Sequence, residues 1–131
     1  LLRNFTLFFL FLVLPWKMSS ARQSNVDSLR QALLSAQGEA KIDLLVELSF
    51  ALSQRQPELA IAEANKAYHL SVSMNYQRGM ASALHKRAVV YRYQGYYDEA
   101  IAASDSALAI QEAQPWPELD ASCLGRNQLY L

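Results

Sequence analysis

The chain is poor in the residues that carry redox, metal and nucleic-acid chemistry. It has one cysteine in 131 residues, Cys123. A single cysteine cannot form an internal disulfide, and no Cys/His cluster has metal-ligand spacing. Cys123 reads as a small buried apolar residue. Histidine occurs twice, as His69 and His85, and no carboxylate or thiol accompanies either at ligand spacing. Neither sign of charge is in excess, with 12 Lys plus Arg against 12 Asp plus Glu. That balance excludes the clustered basic surplus of a nucleic-acid binder. Gly and Pro number four each, and no apolar/polar alternation lies between Gly/Asn turns, so strands are not expected. No catalytic residue, cofactor or metal is expected, and the chain does not read as an enzyme.

What is present is apolar. Hydrophobic residues make up 52% and charged residues 18%, which suits a folded chain. Part of the excess lies at one end. Phe5 to Leu14 reads FTLFFLFLVL behind Arg3, too short for a bilayer span of about 20 residues. Pro15-Trp16 and the small residues Ser19-Ser20-Ala21 follow. A basic n-region, an apolar h-region and small residues predict a signal peptide over 1–21, cleaved after Ala21. The chain is therefore expected to be exported, periplasmic or extracytoplasmic. A membrane is involved only through an uncleaved signal segment or a span downstream. Residues 22–26 read as a linker and 27–131 as one repeat domain.

The domain repeats. Ala60-Ile61-Ala62 returns 40 residues later as Ala100-Ile101-Ala102. The same offset pairs Leu44 with Leu84, Gln54 with Gln94, Ala67 with Ala107 and Ala81-Ser82 with Ala121-Ser122. A fixed period in this range marks stacked supersecondary units. The punctuation predicts helices. One follows Asn25 or Asp27, with Val26, Leu29, Leu33 and Leu34 apolar and Gly38 as its stop. A second covers about 39–54 and is apolar on more than one face, as buried helices are. Pro57 opens a third, to about Ser73, because its missing N–H costs nothing in the first turn. Leu59, Ala60, Ala64, Ala67, Tyr68 and Leu70 form its inner side. Asn75 breaks the chain before a helix over about 76–94. Gly95 stops that one, and Asp98-Glu99 opens another to about Ala113, ended by Pro115-Trp116-Pro117. The fold class is all-α, an α-solenoid of antiparallel helix pairs. Small residues at Ala60, Ala67, Ala100 and Ala107 let paired helix axes approach closely. Tyr97 is expected to pack back on the preceding helix.

Leu84, Ala88, Tyr91, Gly95, Tyr97, Ala100, Ala107 and Leu108 resemble the signature of a tetratricopeptide repeat. The best unit is about 81–114, a weaker copy covers about 41–74, and a truncated repeat runs from 121. Arg87 and Ser104 depart from the pattern. The period of 40 exceeds the family's usual length of about 34. This long-period form resembles the N-terminal extracytoplasmic repeats of bacterial sensor histidine kinases and cyclases.

The resemblance implies a scaffold that binds a protein or peptide on a concave face. It places His85, Lys86, Val89, Arg92 and Tyr93 on that face, with Ser122 and Arg126 continuing it on the next helix. Cations beside a tyrosine suit a carboxylate or an acidic peptide. The matching face of the earlier copy, Ile42, Leu45, Val46, Ser49 and Leu52, is expected to be buried under the N-terminal helix. Tyr91, Tyr93, Tyr96 and Tyr97 read as core and turn packing, since a nucleic-acid stacking platform needs surrounding positive charge. The alternative expectation is the N-terminal sensor fragment of a larger signal-transduction enzyme, a histidine kinase or nucleotide cyclase. An open last repeat would favour self-association.

Overall fold

A computed structural model describes residues 25–113. The expected signal peptide over 1–21, the truncated repeat from 121, Cys123, Ser122 and Arg126 lie outside the described residues. The described chain is all-helical and contains no strand. Helix α1 occupies residues 25–35. It is followed by α2 (Gly38–Leu52), α3 (Pro57–Ser73), α4 (Gln77–Gln94) and α5 (Tyr97–Ala113). No described helix is long and apolar enough to cross a membrane.

The period is visible in the backbone. Helix α5 begins 40 residues after α3. Ala60 and Ala67 of α3 are buried, as are their counterparts Ala100 and Ala107 of α5. The starts of α3, α4 and α5 fall at 57, 77 and 97, so the module is one helix plus one tight turn.

Two of those turns share one design. Gly95 has φ +81° and Asn75 has φ +53°, a left-handed conformation that glycine adopts freely and asparagine tolerates. The Gly95 N–H donates to the Arg92 carbonyl at 3.1 Å and the Tyr96 N–H to that of Tyr91 at 2.9 Å. Asn75 and Tyr76 repeat this with the carbonyls of Val72 and Ser71, at 3.1 and 2.8 Å. Each turn thus satisfies the last carbonyls of its helix in the Schellman pattern. The Tyr76 and Tyr96 carbonyls then accept the first bonds of α4 and α5, from Met80 and Ala100. Pro57 occupies the first turn of α3, as expected.

The core has two clusters. Val26, Leu48, Leu52, Ala60 and Val90 form one, flanked by Leu29, Leu33, Ala51 and Ile61. Ile42, Leu45, Val46, Ala67 and Ala83 form the other, flanked by Leu33, Tyr68, Leu70 and Tyr76. Full burial of a side chain such as Val90 contributes roughly 1.5–3 kcal/mol. Helices α2, α3, α4 and α5 each pack on the next, and α2 also touches α4. Gly79 sits at a close crossing of α4 with α2 and α3. A Cβ there would collide with Ser71 Oγ, the Tyr76 ring and Ile42 Cγ2.

Several sequence expectations need correction. Helix α1 already includes Asn25 and Val26, and Val26 is buried, so the expected linker does not extend to 26. Gly38 has φ +63° but opens α2 instead of directly capping α1. Helix α2 is not buried all round, because Lys41, Asp43, Glu47 and Phe50 are exposed. Leu59 is 46% exposed and lies off the inner side of α3. Tyr97, 65% exposed, does not pack back on α4. Tyr96 does, because it follows the left-handed glycine directly, and its ring meets that of Tyr91 edge-on at 6.5 Å.

Candidate functional site

The expected binding residues on α4 divide by their register. Ala88, Val89 and Val90 are consecutive buried residues, because α4 packs on α3, on α5 and against α2. Val89 therefore offers a ligand no open surface. Its counterpart 40 residues earlier, Ser49, is also buried, and the Ser49 hydroxyl has no hydrogen-bond partner. All five residues of the matching face on α2, Ile42, Leu45, Val46, Ser49 and Leu52, are buried. Leu33 of α1 packs against the cluster that holds Ile42, Leu45 and Val46, and Val26 of α1 shares a cluster with Leu52.

His85, Lys86 and Arg92 are partly buried and Tyr93 is half-exposed. Lys86 Nζ sits 4.4 Å from the centroid of the Phe50 ring on α2. Arg92 Cζ lies 5.6 Å from the centroid of Tyr93. Both distances suit attraction between a cation and a ring face. Burial lowers the His85 pKa to about 4, with Lys86 and Arg92 adding repulsion. The imidazole is therefore neutral at pH 7, and the charge of this region comes from Lys86 and Arg92.

The other end of the same two helices is different. Burial raises the Tyr76 pKa first, and the carboxylate of Asp43 raises it next. Arg78 opposes them and Glu39 adds to them. Tyr76 packs against the cluster that holds Ile42, which sets the amino end of α4 beside the early part of α2. Asp43, Glu47 and Phe50 follow one another at i, i+4 and i+7, which places them on one helix face, and all three are exposed. Of these three, Phe50 meets α4 through Lys86.

Sequence reasoning missed Phe50 as the partner of Lys86. The run of apolar neighbours on α2 obscured its exposure. The tyrosines are only partly turn packing. Tyr91 and Tyr96 meet in the turn, while Tyr93, Tyr96 and Tyr97 are each about half-exposed or more. His69 is exposed and meets Tyr68 edge-on at 5.8 Å. Among the described residues, no three His, Cys, Asp or Glu side chains converge as a metal site would require.

No family model, curated protein or solved structure matches the chain. The geometry of its own residues therefore carries the functional reading.

Proposed function

We propose that the chain is a non-catalytic scaffold of tetratricopeptide type, an α-solenoid of antiparallel helix pairs that binds a protein or peptide in the groove between α2 and α4. The two core clusters support the antiparallel pairing. One joins the late residues Leu48 and Leu52 of α2 to the early residue Ala60 of α3 and the late residue Val90 of α4. The other joins the early residues Ile42 and Leu45 of α2 to the late residue Ala67 of α3 and the early residue Ala83 of α4. Helix α3 alternates in direction with its neighbours in both. The contact of α2 with α4 fits stacking of the first helices of successive pairs. Export behind a cleaved signal peptide is part of the proposal and rests on the sequence of residues 3–21.

The observation that carries the binding reading is Lys86 Nζ over a Phe50 ring that is itself 47% exposed. A half-exposed ring with a cation on its face, shared by two helices, offers a ligand both apolar contact and positive charge. The test is selection of binders from a random peptide display library, followed by Lys86→Glu with Arg92→Glu. The expected result is loss of the selected acidic peptides with helicity unchanged. Retained binding would overturn the site.

A further inference from the structure

Helix α5 repeats the buried alanines of α3 but lacks one of its neighbours. Among the described residues α3 packs on both α2 and α4, whereas α5 packs on α4 alone. The difference shows at Ile61 and Ile101, the central residues of the duplicated tripeptide. Ile61 packs against the cluster that holds Val90 of α4, while Ile101 is 38% exposed. Ala62 is partly buried and Ala102 is exposed. The face of α5 around Ile101 therefore lacks the cover that its counterpart has on α3. We infer that this face seats residues 121–130 of the same chain.

These residues lie outside the described ones, and the period of the chain identifies them as the occupant. Helix α4 buries Ala81, Ala83, Leu84, Val89 and Val90. Forty positions on stand Ala121, Cys123, Leu124, Leu129 and Tyr130, all of types that pack readily in apolar surroundings. The spacing of side chains that α4 buries is thus present again beyond α5. Residues 114–120 join α5 to this segment as residues 74–80 join α3 to Ala81. The register also assigns partners. Ala67 and Ala83 belong to one cluster, which places Cys123 near Ala107. Ile61 packs on the cluster of Val90, which places Tyr130 near Ile101. The copy departs at Gly79 and Ala88, which answer to Leu119 and Gln128. No Cβ fits at Gly79, so the close crossing made there is not repeated and the seat begins at Ala121.

Cys123 is the only cysteine of the chain, so its thiol reports on the seat. The experiment follows its reaction with a thiol reagent in the full chain, folded and in urea. The folded chain should react at least about tenfold more slowly, as a group reached only through local opening does. The rate should not depend on protein concentration. Ile101→Arg should restore most of the lost reactivity, because it sets a charge in an apolar contact. Leu59→Arg is the control on α3, at a residue 46% exposed, and should leave the rate unchanged. Circular dichroism checks that both variants keep their helicity. Equal rates in the folded chain and in urea overturn the inference. Protection that survives Ile101→Arg, or is lost equally in Leu59→Arg, overturns it as well. Protection that grows with concentration would put a second copy on the face instead, and also overturns it.

Discussion

Tyr91 and Tyr96 meet edge-on across the end of α4, with ring centroids 6.5 Å apart and planes at 79°. The same two residues share a backbone hydrogen bond, from the Tyr96 N–H to the Tyr91 carbonyl. Ring contact and hydrogen bond lock one turn together, and Gly95 between them supplies the left-handed backbone. An aromatic pair of this kind contributes about 0.5–1.5 kcal/mol. Tyr96→Ala is therefore expected to lower the unfolding free energy by about that amount. Tyr97→Ala should stay within about 0.5 kcal/mol of the parent, as exposed substitutions do. Urea unfolding of the two variants checks this, and equal losses would contradict it.

Gly95→Ala isolates a backbone effect. Nothing lies within 4 Å of the position a Cβ would take there, so only the left-handed φ resists the change. The expected loss is about 1–2 kcal/mol. Gly95→Asn should recover most of it, because Asn75 already carries the same turn 20 residues earlier. Thermal unfolding of both variants measures the difference.

Gly79→Ala tests packing instead. Its new methyl would collide with Ser71 Oγ, the Tyr76 ring and Ile42 Cγ2. Overpacking of this kind costs about 1–3 kcal/mol. Ser71→Ala combined with it should restore part of the loss, since the Ser71 hydroxyl is one of the three obstacles. A double-mutant cycle in urea reads the coupling. Additive losses would show that the crossing of α3 and α4 is looser than described.

Stability should fall on acidification through His85. Its folded pKa is about 4, below the unfolded value of about 6.5. Above pH 6.5 both states leave the imidazole neutral. Between about pH 6.5 and 4 the unfolded chain takes up a proton that the folded chain resists, so unfolding becomes easier as pH drops. The shift corresponds to at most about 3 kcal/mol. Replacing the residue, His85→Gln, should flatten the profile over that window. Unfolding midpoints at pH 7.5, 5.5 and 4.5 for both proteins provide the comparison, and parallel profiles would contradict the assignment.

Much of the helical order was legible because local residues punctuate it. Pro57 marks the start of α3, Gly95 the end of α4, and the repeated alanines the buried side of α3 and α5. These signals act within a few residues of the feature they specify. The site was less legible because it depends on distant residues meeting. Lys86 was a candidate from its own helix, but its partner Phe50 lies 36 residues earlier, inside an apolar run that suggested burial. Val89 looked available for the opposite reason. Its helix face was identified, but not that α4 would be enclosed by α2, α3 and α5. Gly79 was overlooked because a glycine inside a helix has no local signature of close approach.

The most direct test of the account is to locate the bound peptide on the full chain by amide chemical-shift perturbation. Titration with an acidic peptide selected from the display library should shift the resonances of Phe50 on α2 and of Lys86, Arg92 and Tyr93 on α4. The outer faces of α3 and α5, including Lys66 and Ile101, should stay unmoved. Perturbations concentrated on α3 and α5, with Phe50 and Lys86 unchanged, would contradict the groove.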